Sequence, residues 1–361
     1  MGSLEEARKI INEVDAKMAE LFVMRMHAAE MVAEYKKEHG LKIYDKVREQ
    51  EIIERGAERV SDTVMREYYV NFLKSNMDIS KEYQDRLING MKVAYCGTEG
   101  AFAHIATGKL FPSARKVAFN DFESAYNAVA DGSCDAAVLP IENSYNGEVG
   151  QVTDLMFSGS LYISGVMELA VTQDLLVLPD AKIEDIKRVV SHPQALGQCA
   201  DYLKAHGFEQ LEYTNTALAA KHVAELGDKS LAAIASEEAA EIFGLKVLER
   251  NINASRSNTT KFAVFSRAES RHTKSEMGVH TILLFTVRNE AGALAKAIDV
   301  IGRHGFNMRA LRSRPMKELL WQYYFYVEAE GNVHTENGKD MMRELQNYCD
   351  RLKPVGTFVK D

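Results

Sequence analysis

The chain has 361 residues, of which 46% are hydrophobic and 27% charged, and its formal net charge is −8. These are the proportions of a soluble globular protein with room for two or three domains. The acidic balance, without any lysine/arginine block, excludes nucleic acid and anionic membrane as partners. In chain order, residues 1–89 contain no proline and read as three helices. The first covers Leu4 to Glu38 and stops at His39-Gly40, glycine being a natural terminator. The second starts at Asp45, a good N-cap, and runs to about Arg59, and the third runs from Ser61-Asp62 to Asn89-Gly90.

The first helix carries a seam at steps of three and four: Arg8, Ile11, Asp15, Met18, Phe22, Arg25, Ala29, Val32, Lys36. Three cations against one carboxylate on a packed seam are costly unless a counter-charge is supplied. A small polyanion held between helices supplies it. The helix spans roughly 50 Å at about 1.5 Å per residue, too long for one small domain, so an intertwined homodimer is expected. Arg25 and Lys36 lie about 16 Å apart along the axis, within converging reach of long side chains. Arg8 lies about 25 Å from Arg25 in the other direction, so an antiparallel partner has to bring its own Arg8 to a shared site. Asp45, Arg48 and Glu49 share a face of the second helix. Ser80 and Gln84 interrupt the stripe Leu73, Met77, Leu87 of the third, as polar groups that need partners.

With these residues in place, the segment resembles the all-helical chorismate mutases, whose pattern is matched by Arg8, Arg25, Lys36, Asp45, Arg48, Glu49, Ser80 and Gln84. The resemblance implies that Arg8 of one chain and Arg25 and Arg48 of the other grip the two carboxylates of chorismate. It also implies that Lys36 and Gln84 hydrogen-bond the ether oxygen, that Glu49 orients the ring hydroxyl, and that Asp45 and Ser80 complete the substrate contacts.

Residues 91–268 change character to short β-rich runs alternating with helical ones, an α/β pattern with mostly parallel strands expected. Two subdomains joined near residues 165–178 leave a cleft between them. Gly97-Thr98-Glu99-Gly100 follows the first strand but is not the GxGxxG of a dinucleotide fold, so a nicotinamide cofactor is not expected. Three runs stand out: Pro140-Ile141-Glu142-Asn143-Ser144 with Gly147, Ser191-His192-Pro193-Gln194 with Gln198, and Asn258-Thr259-Thr260-Lys261-Phe262. Each alone is turn and cap chemistry. Together they resemble the prephenate dehydratases, whose substrate is the mutase product. The resemblance implies Thr260 as donor to the departing ring hydroxyl, with Asn143, Ser191, Gln198 and Lys261 binding and orienting prephenate. The chain departs from the family pattern at Ala103, at Gln173 (a histidine is usual) and at Lys261, where arginine is usual and the bidentate fork is lost. His192 and His104 read as structural.

Residues 279–361 give the order β-α-β-β-α-β, a ferredoxin-like α+β fold, after a polar linker at Arg267–Gly278. Gly292-Ala293-Leu294 and Arg312-Ser313-Arg314-Pro315 resemble the GAL and ESRP motifs of the ACT regulatory domain, which implies phenylalanine as effector. Arg312 replaces a glutamate and reverses its charge; a purely structural dimerisation module is the competing reading.

The four cysteines show no CxxC spacing, so no metal site or disulfide framework is expected, and a reducing, cytoplasmic setting fits. Charge begins at Glu5 and no apolar run reaches spanning length, so neither signal peptide nor membrane span is expected. The combined expectation is a bifunctional enzyme without metal or organic cofactor, dimeric or of higher order, taking chorismate to prephenate and prephenate to phenylpyruvate. The alternatives are a dehydratase with a vestigial mutase, or a non-catalytic small-molecule sensor.

Overall fold

The computed structural model describes residues 3–253, 258–270, 278–316 and 321–359. They form two compact units that divide after Lys92. The first consists of α1 (Leu4–Glu38), α2 (Lys46–Ala57) and α3 (Thr63–Asn89). Ser3 closes a capping box with Glu6, and Asp45 and Asp62 cap α2 and α3 by accepting from Arg48 N and Met65 N. These caps satisfy amides that the first turn of a helix otherwise leaves open. α1 and α2 both pack on α3. Few apolar side chains are buried there: Ala29, Ala33 and Met77. On the α1 seam Ile11 is 57% and Phe22 42% exposed, so one chain leaves the seam uncovered.

The second unit begins with β1 (Lys92–Cys96), α4 (Phe102–Leu110), β2 (Arg115–Phe119), α5 (Phe122–Ala130), β3 (Ala136–Asn143), β4 (Gly147–Glu148), α6 (Gly150–Ser158) and β5 (Tyr162–Ala170). There follow β6 (Asp174–Val177), β7 (Arg188–Ser191), α7 (Pro193–Gln198), α8 (Ala200–His206), β8 (Glu209–Glu212), α9 (Thr216–Leu226), β9 (Leu231–Ala235), α10 (Glu237–Phe243) and β10 (Lys246–Glu249). The chain then returns to the first sheet as β11 (Thr259–Ser266). The sheet orders are β2-β1-β3-β11-β5, with β4 beside β3, and β10-β6-β9-β7-β8.

Both sheets are mixed, which corrects the expectation of mostly parallel strands. β1/β3, β7/β8 and β7/β9 are parallel, while β11 runs antiparallel to both β3 and β5, and β6 antiparallel to both β9 and β10. The cause is the double crossing between subdomains. β5 leaves the first sheet and β11 re-enters it, so the two run in opposite senses, and β6 and β10 repeat this in the second sheet.

The third sheet contains β12 (Val279–Thr286), β13 (Asn307–Pro315), β14 (Tyr323–Glu330) and β15 (Arg351–Val359), in the order β13-β14-β12-β15, with α11 (Ala293–Arg303) and α12 (Glu336–Leu345) between them in sequence. Leu283, Phe285 and Val327 pack against α11 and α12. From the other face Ile282, Leu284, Tyr324, Tyr326 and Phe358 enter the core that holds Leu139, Ile163 and Phe265 of the first sheet. The approach is closest at Gly356, where a Cβ would stand 2.1 Å from the Ile163 carbonyl oxygen, so only glycine fits. The C-terminal sheet is thus continuous in its packing with the first α/β subdomain. Of the expected linker, residues 271–277 lie outside the described residues. At its start Arg267 donates to the carbonyls of Val129 and Cys134, both at 2.8 Å.

Candidate functional sites

In the helical unit, Arg25, Lys36, Asp45, Arg48, Glu49, Ser80 and Gln84 line one cavity of about 290 Å³. α1 supplies Arg25 and Lys36, α2 supplies Arg48, and α3 supplies Ser80 and Gln84, 6% and 8% exposed. Arg25 donates to Asn76 O at 3.1 Å and to the Ser80 hydroxyl, which itself donates to Asn76 O. Burial lowers the Arg25 pKa from its ordinary value by removing water from the guanidinium. Lys36 Nζ donates to Ile43 O at 2.6 Å and to Gln84 Oε1 at 3.3 Å. Gln84 therefore keeps its Nε2 as a donor. Asp45 holds the start of α2, and Arg48 reaches Glu51 at 3.0 Å. Sequence reasoning missed Lys81, which stands 2.9 Å from Glu49 and 2.9 Å from Asp78 and whose pKa is raised first by Asp78. Its place next to Ser80, one turn from Met77, was the available signal. Arg8 lies outside this cavity, on the exposed N-terminal part of α1.

The second site is a cleft of about 370 Å³ whose wall includes Asn143, Gln173, Gln198, Asn258 and Thr260. Asn143 sits at the end of β3, where its Oδ1 accepts from the amides of Tyr145 and Asn146 at 3.0 and 2.9 Å. This turn fixes its Nδ2 as donor, to Thr260 Oγ1 at 2.9 Å and to Asn258 Oδ1 at 2.8 Å. Since Thr260 Oγ1 accepts there, its own proton is left for a ligand. Gln198 Oε1 accepts from Asn258 Nδ2 at 3.3 Å and Gln173 Nε2 at 3.4 Å, which leaves its Nε2 free to donate. Asn258 thus joins two of these side chains, Asn143 and Gln198. The signal for it was strand spacing: two residues before Thr260, it falls on the same side of the chain. Ala101 and Val149 are the N-cap residues of α4 and α6, provide no side-chain cap, and line the cleft. Their first-turn amides are suited to a carboxylate.

Two expected ligand contacts are not in the cleft. Ser191 is fully buried and donates to Ile234 O at 2.7 Å, which ties β7 to β9 and supports the turn that follows. Lys261 lies on the opposite face of β11 from Thr260, because adjacent strand residues alternate. There it meets Glu328 at 3.0 Å and Glu142 at 3.6 Å. His192 Nδ1 accepts from Gln194 N as the cap of α7, and His104 Nδ1 accepts from Gly100 N.

Family models for prephenate dehydratase and for chorismate mutase type II match residues 93–270 and 7–85. The bifunctional chorismate mutase/prephenate dehydratase of Aquifex aeolicus is 31% identical over 100% of this chain and 99% of its own length. The chain belongs to the bifunctional chorismate mutase/prephenate dehydratases. Among solved structures, the prephenate dehydratase of Arthrobacter aurescens in complex with L-Phe is 25% identical, with a TM-score of 0.68 over 74% of this chain and 90% of that one. A chain described as GqqA, a novel type of quorum quenching acylase, is 30% identical, with a TM-score of 0.69 over 75% of this chain and 98% of that one.

In this bifunctional mutase–dehydratase the two C-terminal motifs differ in what they can offer a ligand. Gly292 adopts φ +82 at the start of α11, with Ala293 and Leu294 opening the helix. Arg312 and Arg314 instead point to the first α/β subdomain, a correction to their expected place in an effector site. Arg312 pairs with Glu142. Arg314 pairs with Glu148 and, at 3.0 Å, with Asp154. On β13 these two positions share a face, and Ser313 and Pro315 alternate with them.

Proposed function

We propose that the cavity of the helical unit rearranges chorismate to prephenate and that the cleft of the α/β segment converts prephenate to phenylpyruvate. The first reaction needs neither nucleophile nor proton transfer. The protein selects the compact diaxial conformer and stabilises the negative charge that builds on the breaking ether oxygen. Lys36 and the Gln84 amide are the donors to that oxygen. Arg25, Arg48 and the partner chain's equivalent of Arg8 hold the carboxylates, Glu49 orients the ring hydroxyl, and Asp45 and Ser80 fix the cations and helix starts around them. The observation that carries this reading is the convergence of Arg25, Lys36, Arg48, Glu49 and Gln84 on one cavity that Arg8 does not reach.

An intertwined homodimer supplies the missing arginine and covers the exposed α1 seam. Co-expression of Arg8→Ala with Lys36→Ala chains tests it. Each variant alone is expected to lack mutase activity, while the mixture regains about a quarter of the wild-type value by random pairing of subunits. Absence of any recovery, with mixed dimers demonstrated, rejects the shared site.

Gln84 is neutral, so mutase activity is expected to be nearly flat with pH. In Gln84→Glu the new carboxyl donates only when protonated, and a glutamate with an ordinary pKa of about 4.3 is ionised at neutral pH. Lys36, 3.3 Å from Gln84 Oε1, favours the ionised form further. Loss of one such donor costs about 10²- to 10³-fold. The variant's kcat/KM for chorismate should fall by that factor near neutrality and climb as the solution is acidified. A variant profile parallel to wild type would remove Gln84 from the ether oxygen.

In the cleft, the departing carboxylate leaves as carbon dioxide and its bonding pair enters the ring. The ring double bonds shift, the C–O bond breaks, and the leaving hydroxide takes the Thr260 proton as water; solvent then restores the Thr260 proton. Asn143, donating to Thr260 Oγ1, stabilises charge on that oxygen and so eases the transfer. Asn143, Asn258 and Gln198 orient the substrate, and Ser191 supports their frame. The C-terminal sheet with α11 and α12 is proposed as an ACT domain, taking an amino acid such as phenylalanine near Gly292, Ala293, Leu294, Ser313 and Pro315. The L-Phe bound to the Arthrobacter relative supports it. A cytoplasmic setting suits four cysteines present as thiols. No helix among the described residues is long and apolar enough to cross a membrane.

A further inference from the structure

On β3 and β11 the pair Asn143–Thr260 stands in register, and the next pair in register is Glu142–Lys261. The two pairs alternate in facing: Asn143 and Thr260 line the cleft, while Glu142 and Lys261 enter a separate cavity of about 330 Å³ against the C-terminal sheet. There Arg312 of β13 pairs with Glu142 and lies over the Tyr326 ring at 5.2 Å. Glu328 of β14 is almost fully buried and holds Lys261 Nζ at 3.0 Å, with His280 Nδ1 at 3.3 Å from its other oxygen. Two carboxylates and two cations face one another here, Lys261 and Glu328 mostly buried and Arg312 and Glu142 about three-quarters buried, and partial burial makes such contacts stronger and geometrically more exacting than on an open surface. The ladder between β3 and β11 shifts register immediately after Lys261. At a bulge the backbone bonds no longer fix the strand on their own, so side-chain ties decide its local shape.

We infer that Glu142 and Lys261 are positioning residues for dehydration, and that Arg312 and Glu328 make the C-terminal sheet the support on which the Asn143–Thr260 pair is set. The inference rests on the assignment of Thr260 and Asn143 to the dehydratase step. A small displacement of either strand shifts the hydroxyl that must meet the leaving group, and misplacement of that kind lowers turnover more than it lowers binding.

The test is steady-state kinetics of the full chain with prephenate, with chorismate rearrangement in the same samples as a check that the protein is folded. Glu142→Gln and Arg312→Met are each expected to lower dehydratase kcat by roughly 10- to 100-fold with KM little changed, and the double variant to fall no further, because the two act as one unit. Lys261→Arg, which keeps the cation, should retain turnover, and Lys261→Met should lose it. Additive losses, or variants that lower only the melting temperature and leave kcat within about twofold, overturn the inference. Thr260→Val in parallel separates this from failure of the underlying assignment. If it dehydrates prephenate at the wild-type rate, the assignment falls and this inference with it. If it is inactive while Glu142→Gln and Arg312→Met turn over normally, only the positioning role falls.

Discussion

Lys36→Ala is expected to lower chorismate rearrangement by about 10³-fold in kcat while prephenate dehydration continues at the wild-type rate. An ammonium has three donors, and Lys36 directs two of them to Ile43 O and Gln84 Oε1. The third is left for the oxygen on which charge builds as the ether bond breaks. Alanine removes that donor and also the contact that orients the Gln84 amide, so the two donors fail together rather than one at a time. The fold has little to lose, since Lys36 is half-buried in the last turn of α1 and fills no part of the apolar core. The fall of chorismate absorbance measures the first activity, and phenylpyruvate formed from added prephenate measures the second. Rearrangement surviving in the variant, or both activities lost from a protein with an unchanged melting curve, would contradict separate sites.

The helical unit was the most legible part of the sequence, for a geometric reason. Steps of three and four place residues on one face of a helix whatever surrounds it. Charges at Arg25 and Lys36 and polar breaks at Ser80 and Gln84 therefore point to one cavity from sequence alone, whereas Arg8 lies outside it. Cap residues at Asp45 and Asp62 set the helix starts in the same way. The α/β segment was less legible because its contacts join distant positions. Glu142 and Arg312 are 170 residues apart, and Asn143 and Thr260 117. No periodicity announces such pairs.

The error at Lys261 has a different source. Sequence places Thr260 and Lys261 in one run and assigns both to the substrate, but a strand presents neighbours to opposite sides. The rule that placed Asn258 beside Thr260 also sends Lys261 away from both. Arg312 and Arg314 follow the same rule on β13. Two departures from the family pattern, lysine at 261 and arginine at 312, meet at Glu142. A glutamate at 312 would set three carboxylates against one cation in that cluster. Arginine there balances it, which gives the charge reversal at 312 a place in the contact between β13 and β3.

Thr260→Val tests the other active site with the least disturbance to its surroundings. Valine keeps the branched shape and the strand preference of threonine and removes only the hydroxyl. Asn143 Nδ2 loses one acceptor but retains Asn258 Oδ1 at 2.8 Å, and its Oδ1 stays fixed by the amides of Tyr145 and Asn146. The stability cost is thus about 1 kcal/mol, that of a single neutral hydrogen bond. The chemical cost is larger, because a positioned proton donor is worth about 10²- to 10⁴-fold. Dehydratase kcat should fall within that range with KM nearly unchanged, since the groups that hold the carboxylates are untouched, and the mutase should be unaffected. Thr260→Ser, which restores an oxygen at the same backbone position, should recover much of the rate. Loss in valine and recovery in serine together separate a hydroxyl that donates from one that merely fills space. Undiminished phenylpyruvate formation by the valine variant would assign the proton to another group.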